Sequence, residues 1–192
     1  MTTSSSHDVP LRGVRPQTTV AVNGAAVRTH APSRALRYTL AALRLALGWT
    51  FLWTFLDKTF GLGYATPAEN AWIDGGSPTT GYLSGADGLF GDAFNDLAGQ
   101  GWADWLFMLG LLGIGVALIL GIGMRVAAVA GVVMLGLMYL ASLPLDTNPF
   151  VDEHLVEAIA LVVVALTSAG RYFGFGRVWE WLPLVRRYRW LV

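Results

Sequence analysis

Cysteine is absent from this chain of 192 residues. Without cysteine, the chain itself has no disulfide, thiolate metal site, iron–sulfur cluster, c-type haem attachment or thiol redox chemistry. Charge is also scarce, because Asp, Glu, Lys and Arg make up 14% of the residues, against about 25% in a typical soluble domain. The thirteen basic and thirteen acidic residues cancel. This balance argues against a nucleic-acid partner, which requires a basic surface.

Apolar residues are abundant, at 54% of the chain, and the mean hydropathy is +0.52. A membrane-spanning helix needs roughly 20 mainly apolar residues. Four stretches meet this requirement, and they predict spans at about residues 38–56, 105–122, 126–143 and 152–170. The loops between the later spans are short, so neighbouring helices are expected to pack antiparallel. The predicted fold is all-α: a polytopic membrane protein with a four-helix transmembrane bundle in residues 34–170.

Small residues indicate which helix faces pack together, because they let helices approach closely in lipid. On the second span, Gly113, Ala117 and Gly121 recur every four residues. Ala127 and Gly131 do the same on the third span. These faces are predicted to be helix contacts.

Basic residues predict the orientation, since cytoplasmic loops carry an excess of Lys and Arg. Eleven arginines fall before the first span, between the second and third spans, and after the fourth: Arg12, Arg15, Arg28, Arg34, Arg37, Arg125, Arg171, Arg177, Arg186, Arg187 and Arg189. An even number of spans places these three segments on one side, which predicts cytoplasmic N- and C-termini in a bacterial plasma membrane. The other side is acidic, and Lys58 is its only basic residue.

The two ends of the chain differ from the bundle. Residues 1–33 are rich in Ser, Thr, Pro and Arg, and they are predicted to form a mostly disordered arm. Within the arm, Thr18–Val22 and Ala25–Thr29 flank Asn23-Gly24, a pattern typical of a hairpin. Residues 171–192 place aromatic residues among five arginines. This composition favours an interfacial segment against the lipid headgroups, and docking of a partner protein is the alternative.

The outer loop, residues 57–104, is long enough to have structure of its own. Thr66-Pro67-Ala68-Glu69 resembles a capping box, which predicts a short helix to about Ile73 that stops at Gly75-Gly76. An apolar stripe from Leu89 to Leu97 predicts a second, amphipathic helix on the membrane surface or over the bundle.

The stretch GGSPTTGY at residues 75–82, here called the 75–82 loop, lies between these helices. Its glycines and hydroxyl groups suit a tight turn with exposed backbone. One hypothesis is a lid that binds substrate over the outer mouth of the bundle, and a solvated loop with no ligand is the alternative. The candidate substrate-binding residues are Asp57, Gly75, Gly76, Ser77, Thr79, Thr80 and Tyr82.

Charged groups at membrane depth are functional candidates because burying them in lipid is costly. Arg44 is expected about 10 Å inside the first span, where it either snorkels to the headgroups or forms an ion pair in the bundle. On the fourth span, His154 and Glu157 are three residues apart and share a helix face. Lys58 ends the first span on the same membrane side, so we predict that it pairs with Glu157 or a neighbouring carboxylate.

Three interpretations of this cluster stay open. Lys58, His154 and Glu157 could move protons to or from a quinone headgroup. Glu153, His154 and Glu157 could hold a divalent metal. The cluster could also be a structural ion pair. With Arg44 they form the set of candidate catalytic residues: Lys58, His154, Glu157 and Arg44.

Two sequence stretches resemble the DoxX/DoxD family of membrane proteins. Arg44-Leu45-Ala46-Leu47-Gly48 followed by Phe55-Leu56-Asp57-Lys58 is similar to the family's first helix. Residues 71–83, AWIDGGSPTTGYL, resemble the DoxD-like branch, named for a subunit of an archaeal thiosulfate:quinone oxidoreductase. The resemblance covers about residues 35–169. It carries over to Arg44, Lys58 and the 75–82 loop.

The resemblance implies a four-helix membrane bundle and a redox-associated role. One function is a quinone-linked redox subunit that acts on a small sulfur or thiol donor at the outer face, with quinone as co-substrate and no cofactor within the chain. The alternative is a non-enzymatic anchor or assembly partner for a soluble redox or stress-defence enzyme. The expected partners are the lipid bilayer and a protein subunit or a second copy of the chain.

Overall fold

A computed structural model describes residues 18–22, 25–29, 32–146 and 148–191. Two strands, β1 (Thr18–Val22) and β2 (Ala25–Thr29), pair antiparallel with Thr18 opposite Thr29. The predicted hairpin is therefore present. The predicted disorder of the rest of the arm, 1–17, 23–24 and 30–31, falls outside the described residues.

From residue 34 onward the described chain is helical. The helices are α1 (Arg34–Phe60), α2 (Thr80–Leu83), α3 (Gly91–Asn95), α4 (Gly101–Leu120), α5 (Met124–Ala141), α6 (Glu153–Leu166), α7 (Gly176–Trp179) and α8 (Pro183–Arg187). Single 3₁₀ turns lie at Ala68–Asn70, Trp72–Asp74, Ala169–Arg171 and Arg189–Leu191.

Three of the described helices, α1, α4 and α5, are long and apolar enough to cross a membrane. They correspond to the first three predicted spans. Their outward faces carry large apolar side chains such as Trp49, Leu106 and Val133. Exposed apolar faces on such helices indicate a lipid environment.

The fourth helix is shorter than predicted. α6 has 14 residues, which correspond to about 21 Å of helix, and it ends at Leu166 rather than near residue 170. Ser168 takes a left-handed conformation with φ of 51°, and the chain continues as the 3₁₀ turn Ala169–Arg171. Gly170, within this turn, packs directly against the backbone of Gly121, and this contact joins the two chain segments outside a regular helix.

Close helix packing holds the core, with one correction to the predicted faces. A Cβ on Gly115 would lie 2.8 Å from the Leu52 nitrogen, and a Cβ on Gly48 would lie 3.0 Å from the Ile119 nitrogen, so α1 and α4 cross closely there. Gly131 of α5 packs against Leu161 of α6, as predicted. Gly113, however, is exposed and faces open space. The packed face of α4 is therefore the one that carries Gly115.

The outer loop contains the two predicted short elements in reduced form. The stretch after Thr66 forms two 3₁₀ turns, and the Pro67 cap has no side-chain hydrogen bond, so the capping box is not made. The amphipathic element is a single helical turn, α3. A Cβ on Gly88 would lie 3.2 Å from the Cβ of Leu143, beyond the end of α5, so this part of the loop packs onto the helical domain.

Candidate functional site

Arg44 lies on the inward face of α1 and is fully buried. Its Nη1 donates to the carbonyl oxygens of Leu118 at 2.7 Å and Ile119 at 3.1 Å, in the last turn of α4. Its Nη2 donates to the carbonyls of Tyr172 at 3.3 Å and Phe173 at 3.1 Å. Carbonyls in the last turn of a helix have no partner within the helix and carry its negative partial charge, so a guanidinium is well suited to bind them. We call this arrangement the guanidinium junction.

Glycines make room for the guanidinium. A Cβ on Gly121 would lie 2.5 Å from Arg44 Nη1, and one on Gly174 would lie 3.0 Å from it. Gly121 also has φ of 72°, a left-handed conformation that glycine adopts without steric cost. The junction therefore requires glycine at position 121 for both space and backbone geometry.

Two further contacts connect the same elements. Phe173 takes a left-handed conformation with φ of 53°, which is uncommon for a bulky residue. Its ring stacks on Tyr38 of α1 with centroids 5.1 Å apart. The Phe175 amide donates to the carbonyl of Leu120 at 2.8 Å. The segment after α6 is thus fastened to both α1 and α4.

Neither interpretation of Arg44 from sequence is correct. A snorkelling arginine would reach the headgroups, yet Arg44 has no exposed surface. A bundle ion pair would need a carboxylate, and in the described part of the chain Arg44 bonds only to backbone carbonyls. Arg44 therefore joins three segments of the fold through Nη1 and Nη2, while its buried Nε has no hydrogen-bond partner in the described structure.

The 75–82 loop is fastened to Asp104, a nearly buried residue in the first turn of α4. One oxygen, Asp104 Oδ1, accepts from Ser77 Oγ at 2.9 Å, the Thr79 amide at 3.1 Å and Thr79 Oγ1 at 2.6 Å. Thr80 Oγ1 in turn donates to Ser77 Oγ at 2.6 Å. We call this arrangement the carboxylate junction. It uses three of the four hydroxyl groups that the substrate-lid hypothesis assigned to a ligand, those of Ser77, Thr79 and Thr80.

The other candidate binding residues also make internal contacts. Gly75 ends a 3₁₀ turn with φ of 94°, and the Gly76 amide donates to the carbonyl of Ala71 at 3.0 Å. Buried Asp57 accepts from the amides of Tyr64 at 3.3 Å and Ala65 at 3.0 Å. It therefore secures the chain that leaves α1.

Tyr82 links α2 to the end of α5. Its hydroxyl donates to the carbonyl of Met138 at 2.8 Å and lies 2.5 Å from Ser142 Oγ. Burial and the nearby charges of Asp152 and Glu153 raise the pKa of Tyr82, against the opposing effect of the Ser142 hydrogen bond. The phenol therefore stays protonated and remains a hydrogen-bond donor at neutral pH.

The remaining candidates do not form the predicted cluster. His154 Nδ1 lies 2.5 Å from Asp152 Oδ2, and Asp152 Oδ1 caps α6 by accepting from the Leu155 amide at 3.0 Å. Lys58 and Glu157 are half-buried, and no ion pair joins them in the described structure. The predicted Lys58–Glu157 pair is wrong, because neither residue takes part in a described ion pair. The acidic partner of His154 is Asp152, and Lys58 lies beside Asp57 in the sequence.

Asp104 is the residue that sequence reasoning missed. The sequence places Asp104 at the end of the acidic outer loop and gives it no special role. In the structure it is one of the few buried charged groups in the described chain. Its position in the first turn of a long apolar helix was the available indication, because a carboxylate there is favoured by the helix dipole. Its hydroxyl partners lie 25 and 27 residues earlier, beyond any local pattern.

A metal site at Glu153, His154 and Glu157 is not formed: in the described ranges no group of three or more His, Asp or Glu side chains is placed to hold an ion. Arg44, Asp104 and Tyr82 instead connect elements within the chain. Comparisons with protein-family models, curated proteins and solved structures gave no match to this chain.

Proposed function

We propose that α6 completes a four-helix membrane domain with α1, α4 and α5. Leu161 and Val164 of α6 are fully buried, and Leu161 contacts Gly131 of α5, so α6 packs against the long helices through one face. The turn Ala169–Arg171 extends its apolar length towards the arginines. The distribution of those arginines supports cytoplasmic termini in a bacterial plasma membrane.

The proposed role of this domain is non-enzymatic: a DoxX/DoxD-like anchor or assembly partner for a soluble redox or stress-defence enzyme. The observation that carries this choice is the carboxylate junction. The hydroxyls of Ser77 and Thr79 donate to Asp104, and the hydroxyl of Thr80 donates to Ser77. A substrate would have to break these bonds and leave a nearly buried carboxylate without donors, which costs about 1–3 kcal/mol or more.

The outer loop offers a surface for the partner. Glu69, Asp74, Asp87, Asp92 and Asp96 are all exposed there. The sequence has no lysine or arginine between Lys58 and Arg125, so no basic side chain of the loop compensates them. Complementary charge steers and orients association, so the expected partner presents a basic surface.

Lys58 and Glu157 favour a second candidate function, the quinone-linked redox subunit. Both side chains are half-buried and make no described hydrogen bond. Ionisable groups in this setting suit proton transfer to a quinone headgroup. A small sulfur or thiol donor and a quinone would then be co-substrates.

One assay separates the two functions. The purified chain in liposomes is supplied with thiosulfate or a thiol and a quinone analogue, and quinone reduction is followed by absorbance. The anchor role predicts no reduction above protein-free liposomes. Reduction that is lost in both Lys58→Met and Glu157→Gln, and kept in the exposed control Glu69→Gln, would establish the redox subunit and refute the anchor role.

A second experiment tests the partner surface. The full chain is purified from mild-detergent extracts of its native membranes, and retained proteins are identified by mass spectrometry. The variant Asp87→Asn/Asp92→Asn/Asp96→Asn should lose a basic partner that the wild type retains in stoichiometric amount. A matched variant at the other end, Arg186→Gln/Arg187→Gln, should retain it. Equal retention by all three proteins would contradict the proposed surface.

A further inference from the structure

The C-terminal segment, residues 171–191, exposes an aromatic face. Trp181 is 80% exposed, and several other large apolar side chains of this segment are also exposed: Phe173, Phe175, Val178, Leu184 and Trp190. By contrast, the side chain of Val185 in the same segment is buried, with 1% of its surface exposed. Large exposed apolar side chains concentrated in so short a segment indicate an interaction site.

The segment is fixed in place. The guanidinium junction holds the carbonyls of Tyr172 and Phe173, and the Phe175 amide bonds to Leu120 at the end of α4. Further along, Trp179 Nε1 donates to the carbonyl of Leu191 at 2.9 Å. The aromatic face is therefore held beside the start of α1 and the end of α4.

Helix length places this face at a membrane interface, provided that the proposed membrane location holds. Trp102 and Trp105, near the start of α4, are both exposed, and tryptophan on a lipid-facing surface favours the headgroup region. From Trp102 to Leu120 the helix rises about 27 Å. The hydrocarbon core is about 30 Å thick, so the segment bonded to Leu120 lies at the opposite interface.

Charge identifies the ligand. The segment has five arginines and one glutamate. Glu180 already accepts two hydrogen bonds from Arg171, at 2.6 and 2.8 Å. Three arginines, Arg177, Arg186 and Arg187, are exposed and make no described ion pair with a carboxylate. The guanidinium fork matches phosphate oxygens.

We propose that the C-terminal segment binds anionic phospholipid. Its aromatic face enters the headgroup region, and Arg177, Arg186 and Arg187 bind the headgroup phosphates. This inference rests on the proposed membrane location of the bundle, but not on the anchor or redox role. It makes lipid, and not a protein, the occupant of this surface.

The absence of cysteine makes a direct test possible. A spin label on Leu184→Cys reports the depth of the segment, and a label on Leu89→Cys, a 90% exposed site in the outer loop, serves as the control. The full chain is placed in nanodiscs of phosphatidylcholine alone or mixed with phosphatidylglycerol. Depth comes from the relative accessibility of each label to oxygen and to a water-soluble nickel chelate. The label at 184 should lie at headgroup depth and move deeper with phosphatidylglycerol, while the label at 89 stays in water.

A second measurement tests lipid choice. The preference of the protein for spin-labelled phosphatidylglycerol over phosphatidylcholine is measured from the motionally restricted lipid signal. An arginine at an anionic surface contributes about a fivefold preference, so Arg177→Gln/Arg186→Gln/Arg187→Gln should lower the preference by about tenfold or more. The matched variant Arg34→Gln/Arg37→Gln, outside the segment, should keep most of it.

The outcomes separate the inference from the proposal beneath it. Failure of the wild type to insert, judged by extraction from membranes with alkaline carbonate, refutes the membrane location itself. If the protein inserts but the label at 184 is exposed to water in both lipid mixtures, only the lipid-binding role of the segment is refuted. A protein would then be the expected ligand of the aromatic face. Headgroup depth with equal affinity for the two lipids, or an unchanged preference in the triple variant, refutes the anionic assignment.

Discussion

The two ends of the helical domain contain buried charged groups of opposite sign: Arg44 at one end, and Asp104 together with Asp57 at the other. At the guanidinium junction, Arg44 donates to four backbone carbonyls from two distant segments. At the carboxylate junction, Asp104 accepts from one short loop, through two hydroxyls and one amide. The first joins whole elements, whereas the second fastens a single loop.

This contrast predicts that substitutions at the two junctions have different effects on the fold. The guanidinium joins the end of α4 to the C-terminal segment, so its loss leaves carbonyls of both elements without that donor. The groups bonded to Asp104 all belong to residues 77–79 of a single loop. A lesion at Arg44 should therefore affect the whole domain, and a lesion at Asp104 should remain local.

The largest effect is expected for Arg44→Met. It removes the described donor to the carbonyls of Ile119, Tyr172 and Phe173 and one of the two donors to Leu118, and each buried acceptor left unsatisfied costs about 1–3 kcal/mol. The free energy of unfolding should fall accordingly, seen as a lower thermal midpoint in detergent. Arg37→Met, one heptad earlier on α1, is the control and should change it little. A normal midpoint for Arg44→Met would show that the junction does not stabilise the domain.

Asp104→Ala should come next, at about 2–3 kcal/mol for a lost charged acceptor, and its effect should be confined to the loop. Hydrogen exchange of the Thr79 amide should accelerate while the α5 amides stay protected. Asp96→Ala, an exposed acid, serves as the reference and should leave this exchange unchanged. Accelerated exchange throughout the helices would show that loss of Asp104 affects the whole domain, as expected for Arg44, and would contradict the predicted difference between the two junctions.

Gly121→Ala tests the space around Arg44. Glycines 121 and 123 both have positive φ, at 72° and 56°, but a Cβ at 123 would meet no atom within 4 Å. Both substitutions incur the backbone cost, and only the first adds overpacking of about 1–3 kcal/mol. The difference between their thermal midpoints measures the combined contact of position 121 with Arg44 and with the Gly170 backbone. Equal midpoints would mean that both neighbours can move aside.

The smallest effect is expected for Tyr82→Phe, which removes the bonds to Met138 and Ser142 and should cost about 1 kcal/mol. Limited proteolysis between α2 and α3 should become faster. Tyr64→Phe, whose hydroxyl makes no described hydrogen bond, provides the comparison. An unchanged cleavage rate would show that α2 is held by the carboxylate junction alone.

The long helices and the hairpin were predictable because their patterns are local. Helices α1, α4 and α5 begin within four residues of the predicted spans, and the strands coincide with the predicted hairpin. An apolar run reports burial or lipid contact residue by residue, and Asn-Gly favours a tight turn. Such features need no knowledge of distant residues.

The junctions were not predictable, because their partners are remote or have no side-chain identity. Arg44 binds carbonyls, which every residue has, so no sequence pattern marks them. The end of α6 depends on the contact between Gly170 and Gly121, and the role of Asp104 depends on Ser77 and Thr79. Predicting a Lys58–Glu157 pair from charge alone failed for the same reason: complementary charge on one membrane side does not establish proximity.

The hydrogen bonds of the guanidinium junction depend on the order in which the chain is synthesised. The acceptors of Arg44 are made 74 residues after it in α4 and 129 residues after it in the C-terminal segment. At ribosomal rates of about 5–20 residues per second, the last acceptor follows Arg44 by roughly 6–26 s. Until residue 173 has been synthesised, the four hydrogen bonds of Arg44 cannot all form. The junction is therefore a late contact of the fold, completed after α1, α4, α5 and α6 have all been made.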